Sequence, residues 1–233
     1  MDLSRNQLDR LGVRLRDADV PTVDDRRAFD GYRLAFDDAH REVAAGLNAL
    51  RQGIAGDVRV STRRKTLDST IAKLRRLPTT RLSRLEDIAG CRLVVARLSQ
   101  QDALIDQTSQ TFETTRLRDY RDTPQHGYRA VHVVVRATDG LPVEVQFRTR
   151  EQDEWANISE GVAKDHDIAV KYGDGPAAVH VELGRLSDAM FRYDRFLDTP
   201  DGTDFAKALP LLLESLGAAT SVARVTVETW PEE

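Results

Sequence analysis

The chain has 233 residues, of which 40% are hydrophobic and 31% charged, with a formal net charge of −4, which indicates one large domain or a core domain with appended elements. The single cysteine, Cys91, excludes an intramolecular disulfide and a cysteine-based zinc site, and its apolar neighbours favour a small buried side chain. The start lacks an apolar leader and no run approaches the length of a membrane span, so we expect a cytoplasmic protein with no membrane partner.

Hydrophobic spacing predicts helices in the first third of the chain. Leucines at helical spacing predict an amphipathic helix over residues 2–17. Apolar residues over 29–50 predict one long helix that ends near Gly53. A short extended piece at 58–60 and a helix over 66–77 follow, the latter ending before a proline.

A sheet is predicted in the middle of the chain. The predicted strands are 93–95, 112–117, 131–135 and 143–148. A helix over 100–110 separates the first two strands, and Asp139-Gly140 predicts a tight hairpin between the last two. In the last strand polar and apolar residues alternate, which places Glu144, Gln146 and Arg148 on one face.

The remaining third of the chain is predicted to be helical. The predicted helices are 150–164, 177–198 and 204–216. The whole pattern indicates an α/β fold in which a mixed, twisted sheet is flanked by helices. We expect N-terminal helices in residues 1–56, a core over 57–175, and C-terminal helices and a tail in 176–233.

Positive charge is concentrated in one segment of this acidic chain. Between Arg59 and Arg92 there are ten lysines and arginines against three acidic residues. A basic segment of this kind is typical of a site for a polyanionic ligand. A solvated helix face is the alternative, but it leaves the acidic pair Glu86-Asp87 near the end of the segment unexplained.

Four short motifs combine phosphate-binding cations or metal-binding carboxylates with a turn or strand that can position them. They are Ser61-Thr62-Arg63-Arg64-Lys65, Glu86-Asp87-Ile88-Ala89-Gly90-Cys91-Arg92, His126-Gly127-Tyr128-Arg129-Ala130-Val131-His132 and Glu144-Val145-Gln146-Phe147-Arg148-Thr149. In this order they resemble the synthetase domain of the RelA/SpoT family, which transfers pyrophosphate from ATP to a ribose 3′-hydroxyl. The resemblance covers roughly Val58 to Tyr172 and implies a nucleotidyltransferase-like synthetase fold.

Two carboxylates are candidates for a catalytic metal site. Pyrophosphoryl transfer requires Mg²⁺, which takes one or two protein carboxylates together with phosphate oxygens and water. Asp87 just before a strand and Glu144 within another strand can converge across a sheet. The resemblance implies that Asp87 binds Mg²⁺ and that Glu144 contacts Mg²⁺ or activates the attacking hydroxyl.

The resemblance also implies a donor site for ATP. Its residues are Arg63, Lys65, Ser69, Lys73 and Arg92. Arg63 and Arg92 are expected beside the adenine, because a guanidinium can stack on a base. Lys65 and Lys73 are expected with the phosphates, near Ser69, which lies one turn before Lys73.

The acceptor side has four candidate residues, Tyr128, His132, Gln146 and Arg148. Gly127 allows a sharp turn that is expected to leave the ring of Tyr128 exposed for stacking on a base. The resemblance implies that Tyr128 stacks on an acceptor guanine and that His132 helps to bind the acceptor. Taken alone, Tyr128 and His132 each also fit a place in the protein core.

Two departures from the family pattern fall on the acceptor side. The loop from Asp119 to Gly127 is one residue shorter and lacks the usual lysine and asparagine. Glu160-Gly161 stands after Trp155 where housekeeping small synthetases have Glu-His. This version resembles the toxic small alarmone synthetases, some of which act on nucleotides and others on the 3′ end of tRNA.

The acceptor therefore stays open between a guanosine nucleotide, GDP or GTP, and the 3′-terminal adenosine of tRNA. A tRNA acceptor requires a basic track, for which the candidates are Arg116, Arg118, Arg121, Arg129 and the arginines of the N-terminal helices. A toxin implies an antitoxin protein as partner.

A nucleotide sensor without activity is a third possibility, disfavoured by the intact Asp87 and Glu144. His166-Asp167 resembles part of the family's hydrolase metal site but lacks its other ligands, so we expect synthetase activity only.

Overall fold

A mixed sheet of five strands forms the centre of the protein, in a computed structural model that describes residues 3–166, 168 and 170–230. The strands are β1 (Arg59–Arg64), β2 (Ala89–Val95), β3 (Glu113–Asp119), β4 (Val131–Arg136) and β5 (Pro142–Thr149). They lie in the order β1-β2-β5-β4-β3, with β2 and β5 parallel and the other neighbours antiparallel. The predicted α/β fold with a mixed sheet is confirmed.

Helices flank this sheet throughout the described part of the chain. They are α1 (Arg5–Asp17), α2 (Val23–Leu34), α3 (Asp37–Leu50), α4 (Leu67–Arg76), α5 (Leu98–Thr111), α6 (Arg150–Asp165), α7 (Ala177–Leu197) and α8 (Phe205–Thr229). Short 3₁₀ turns occur at Arg51–Gly53, Leu82–Arg84 and Val170–Tyr172. Thr149 ends β5 and forms a capping box with Gln152, so the local sequence itself starts α6 at the end of that strand.

The two faces of the sheet differ in polarity. On β5, Val143, Val145 and Phe147 are buried in a core shared with α1 to α5. Glu144, Gln146 and Arg148 alternate with them and belong to the opposite face, as the two-residue period of a strand requires. A second core, built around Trp155 and Leu183, joins α6, α7 and α8. Because α6 begins where β5 ends, the second core adjoins the polar face.

The segment before the sheet forms two helices and not the single long one predicted. Residues Tyr32, Leu34 and Phe36 are two apart, so they cannot share one face of a continuous helix. The chain breaks between Leu34 and Asp37, which buries Phe36 and leaves Leu34 56% exposed. The rings of Tyr32 and Phe36 then meet edge to face with centroids 5.3 Å apart.

The last helix is longer than the predicted 204–216, because α8 continues to Thr229. Ala218, Val222 and Val225 extend the side that packs on the second core. The helix has the length and apolar composition of a membrane span, with 11% of its most apolar 18-residue window buried. The prediction that no segment reaches that length is therefore wrong, although one such helix is weak evidence of a membrane segment.

Two carboxyl groups are buried where α7 packs against the start of α6. Asp194 is fully buried, and the hydroxyl of Thr149 donates a hydrogen bond to its Oδ2 at 2.6 Å. Its Oδ1 and the Oε2 of Glu151 are buried without a hydrogen-bond donor among the described residues. Burial, and then the charge of Glu151, raise the pKa of Asp194 to about 9. We infer that Asp194 is protonated at neutral pH.

Asp194→Asn should therefore stabilise the protein by an amount that grows as the pH rises. The folded-state pKa of about 9 exceeds the ordinary value of 3.8, so between these values unfolding releases a proton and wild-type stability falls as the pH rises. The asparagine side chain does not titrate. The difference in the free energy of unfolding between variant and wild type should therefore grow by at most about 1.4 kcal/mol per pH unit. Urea unfolding at several pH values measures it. Asp106→Asn, an exposed change on α5, is the control, and a difference that does not vary with pH contradicts the prediction.

Candidate active site

Strand register brings most of the candidate residues onto the polar face of the sheet. Residues directly opposite one another on paired strands share a face. One row across the sheet consists of Arg63, Gly90, Glu144, Val134 and Arg116. The next row consists of Ser61, Arg92, Gln146, His132 and Arg118. The residues predicted for the donor and for the acceptor therefore lie side by side on a single surface.

Asp87 joins three elements through two lysines. Its Oδ2 accepts hydrogen bonds from Nζ of Lys65, just after β1, and from Nζ of Lys73, on α4, both at 2.8 Å. Burial by itself raises the pKa of Asp87, but the charges of Lys73 and Lys65 outweigh it and hold the pKa below its ordinary value. Ser69 lies one turn before Lys73, and its hydroxyl is hydrogen-bonded to the N-cap residue Thr66.

Asp87 retains one oxygen that can accept a further ligand. Its Oδ1 is buried and has no hydrogen-bond partner among the described residues. Glu144 is near enough for its charge to act on the pKa of Asp87, and both carboxylates line one cleft of about 170 Å³. Mg²⁺ needs only one or two protein carboxylates when phosphate oxygens and water supply the rest. These residues therefore fit a Mg²⁺ site.

Glu144 belongs to a closed ring of five hydrogen-bonded side chains. Arg148 donates to the hydroxyl of Tyr128 at 3.2 Å, and that hydroxyl lies 2.7 Å from Nε2 of His132. Nδ1 of His132 lies 3.2 Å from Oε1 of Glu144. Gln146 donates to Oε2 of Glu144 at 2.8 Å and accepts from Arg148 at 3.2 Å, which closes the ring.

The ring sets the charge state of Glu144. Burial raises its pKa, but the hydrogen bond and charge of His132, the hydrogen bond from Gln146 and the charge of Lys73 outweigh burial and lower the pKa to about 2. Glu144 is therefore an anion at physiological pH. Each oxygen of Glu144 already accepts one hydrogen bond, and its remaining lone pair can still contact a metal ion or a hydroxyl.

Tyr128 is partly buried, so the prediction that its ring lies exposed is wrong. Its ring packs against Trp155 with centroids 6.3 Å apart, and against Tyr120 at 6.0 Å. The preceding Gly127 has a φ of 87°, and a Cβ there would lie 2.6 Å from a ring carbon of Trp155. The glycine thus brings the tyrosine onto α6, where sequence reasoning expected the turn to free the ring.

The cleft beside the two carboxylates is lined by cations from both ends of the sheet. Lys73 on α4, Arg84, and Arg116 and Arg118 on β3 line it together with Asp87, Glu144 and His132. Arg116 is paired with Glu86 at 2.7 Å. Arg116 and Arg118 were predicted from the sequence only as parts of a nucleic-acid track, and the structure places both next to the catalytic candidates.

Two further candidates for that track, Arg121 and Arg129, are engaged with other parts of the protein. Arg121 forms ion pairs with Asp119 and with Asp102 of α5. Arg129 is 8% exposed and donates hydrogen bonds to Ser187 at 3.0 Å and Asp188 at 2.6 Å on α7. Buried and hydrogen-bonded in this way, Arg129 connects the turn before Tyr128 to the C-terminal helices.

Asp153 is a site residue that the sequence reasoning missed. It lies in the first turn of α6 and is 7% exposed, and its Oδ1 accepts from Arg92 at 3.2 Å and from Arg148 at 3.0 Å. In the sequence it is one acid in the first turn of a helix, where acids are favoured by the helix dipole. No local signal distinguishes it from an ordinary helix-start residue.

The middle of this chain matches a known protein family. Residues 62–172 match the family model described as "Region found in RelA / SpoT proteins". An uncharacterized protein of Mycobacterium tuberculosis is 36% identical over 176 residues, which are 74% of this chain and 63% of that protein. The chain thus spans less than two thirds of the length of this curated relative.

Solved structures share the fold. Small alarmone synthetase 1 from Bacillus subtilis, in a structure bound to its product pppGpp, superimposes with a TM-score of 0.64 at 24% identity, covering 73% of this chain and 95% of that one. A GTP pyrophosphokinase family protein from Streptococcus pneumoniae gives a TM-score of 0.62 at 23% identity, covering 81% and 98%. Both likenesses identify the fold.

Two neighbouring arginines on β1 provide a matched test of the donor surface. Arg63 belongs to the polar face, whereas Arg64 belongs to the opposite face and pairs with Asp37 at 2.9 Å. We expect Arg63→Ala to weaken binding of a fluorescent ATP analogue about tenfold, the equivalent of a cation–π contact of about 1–2 kcal/mol. Arg64→Ala should bind it like the wild type. An equal loss in both variants contradicts a donor site on the polar face.

Proposed function

We propose that the protein is an ATP-dependent pyrophosphotransferase, because its residues 62–172 match the region found in RelA / SpoT proteins. The proposed reaction moves the β,γ-pyrophosphate of ATP to the 3′-hydroxyl of a guanosine nucleotide, GDP or GTP. One observation carries the proposal: Asp87 and Glu144 line one cleft, with Asp87 hydrogen-bonded to both Lys65 and Lys73. Two anions beside two cations suit a metal-bound polyphosphate.

The proposed transfer exchanges one phosphorus–oxygen bond for another. The 3′-oxygen of the acceptor bonds to the β-phosphorus of ATP, the bond from that phosphorus to the oxygen bridging to the α-phosphate breaks, and AMP leaves with that oxygen. Asp87, with Glu144 nearby, would hold Mg²⁺, which when bound would neutralise charge on the phosphates. Lys65, Lys73 and Arg63 bind and orient the donor.

Glu144 contributes to this chemistry first as a fixed negative charge. With a pKa of about 2 it holds a proton too weakly to be an efficient base while His132 and Gln146 are bonded to it. When a bound acceptor replaces either hydrogen bond, Glu144 loses an interaction that lowers its pKa, so the pKa rises. We propose that the hydroxyl proton is accepted by Glu144 in that altered state.

The acceptor is the finer part of the proposal. A single nucleotide needs only the cleft next to Tyr128 and His132, where Arg116 and Arg118 provide local positive charge. A tRNA end needs a longer basic track. Arg129 is buried and Arg121 forms ion pairs, so fewer of the cations suggested by the sequence are available for that track. We therefore favour the nucleotide. Growth inhibition and an antitoxin partner remain predictions from the family resemblance, and a cytoplasmic location remains a prediction from the sequence.

We expect Asp87→Asn and Glu144→Gln each to reduce AMP and product formation by about 100-fold or more. Each change removes a charge from a preorganised site, where such losses are typically of this size. Chromatography of the nucleotides after incubation with ATP, Mg²⁺ and GDP measures the rate, and circular dichroism checks the fold. Asp106→Asn removes the same charge from the far side of α5 and should keep wild-type activity. Near-wild-type turnover by either site variant contradicts the assignment.

Label transfer from γ-³²P-ATP distinguishes the possible acceptors. We expect label in GDP or GTP and none in deacylated tRNA, because the cationic surface at the cleft is short. Tyr128→Ala should abolish transfer but leave ATP binding unchanged, since Tyr128 lies on the acceptor side of Glu144. Label in tRNA alone, with a rate that falls steeply as salt increases, would favour the tRNA 3′ end instead.

A further inference from the structure

Asp153 lies between the donor and acceptor halves of the site and is bonded to both. Its Oδ1 accepts a hydrogen bond from Nη1 of Arg92 at 3.2 Å and from Nη1 of Arg148 at 3.0 Å. Its Oδ2 lies 3.7 Å from Nη2 of Arg59. One nearly buried carboxylate therefore serves three guanidinium groups, each from a strand of the sheet.

The first two arginines lead to different candidate sites. Arg92 is on β2, in the row of the polar face next to that of Arg63, and so belongs to the donor surface. Arg148 is on β5 and donates to the hydroxyl of Tyr128, which is the acceptor candidate. A continuous path of hydrogen bonds therefore runs from Arg92 through Asp153 and Arg148 to Tyr128.

The charge of Asp153 is what allows the two arginines to lie together. Burial, and then the charge of Arg148, lower the pKa of Arg92, whereas the charge of Asp153 opposes that change. Arg148 is 3% exposed and cannot move into water, but the side chain of Arg92 is 22% exposed and can. Without the carboxylate, repulsion between the two cations should displace Arg92 from the donor surface.

We propose that Asp153 is a positioning residue that couples binding of the donor nucleotide to binding of the acceptor nucleotide. The proposal rests on the proposed function. A donor base on Arg92 and an acceptor base beside Tyr128 each favour the same arrangement of Arg92, Asp153 and Arg148. Binding of either ligand then reduces the free energy needed to order this path when the second ligand binds. Each ligand should therefore tighten binding of the other by the same factor.

Calorimetric titration measures this coupling without turnover. A non-hydrolysable ATP analogue is titrated into the wild type with and without saturating GDP, and into Asp153→Asn in the same way. We expect GDP to tighten analogue binding about fivefold or more in the wild type, the lower end of common coupling factors, and by a factor near one in Asp153→Asn. Glu154→Gln, which removes an exposed charge from the next residue of α6, should retain the wild-type factor.

A second variant tests the path if Asp153→Asn fails to fold. Tyr128→Phe keeps the ring and Asp153 but removes the hydroxyl that accepts from Arg148, so it should also bring the factor near one. Weaker binding of each ligand with an unchanged factor overturns the proposal, as does a wild type that binds both ligands without coupling. A wild type that binds neither nucleotide is a failure of the proposed function and removes the basis of this one.

Discussion

The central physical constraint in this protein is a polar face on the middle strand of its sheet. β5 has a neighbouring strand on each side, and on it Arg148 is buried while Glu144 and Gln146 are half-buried, so their polar atoms need partners within the protein. The ring through Tyr128 and His132 supplies these partners. Removing any member of the ring leaves its neighbours without a hydrogen-bond partner. The ring is therefore rigid, and few other positions are open to the carboxylate of Glu144.

The same constraint explains how the helices are divided. The apolar face of the sheet is covered by α1 to α5 in one large core. The polar face is bounded instead by α6 to α8, which form a separate core around Trp155. Tyr128 packs on that second core while its hydroxyl reaches the sheet, and Arg129 is hydrogen-bonded to α7. The C-terminal helices therefore determine where the acceptor candidate lies relative to Glu144.

Charge is arranged so that each carboxylate of the site is anionic for a different reason. The anionic form of Asp87 is stabilised by Lys73 and Lys65, whereas that of Glu144 is stabilised by the hydrogen bond and charge of His132, the hydrogen bond from Gln146 and the charge of Lys73. A polyphosphate can compete for the lysines of Asp87, because phosphate oxygens accept the same bonds. Asp153 instead accepts hydrogen bonds from Arg92 and Arg148 and offsets part of their positive charge within the protein.

The sequence by itself determined the strands, the hairpin at Asp139-Gly140 and the alternation on β5, because these depend on side-chain period and turn chemistry within a few residues. It also indicated Asp87 and Glu144, through the resemblance of their motifs to the RelA/SpoT synthetase domain. Only the tertiary structure decided that Phe36 interrupts a helix, that Tyr128 packs on Trp155, and that Asp153 joins Arg92 to Arg148. Each of these depends on contacts between residues that are distant in sequence, or on which side chain reaches the core. The spacing of residues along the chain indicates neither.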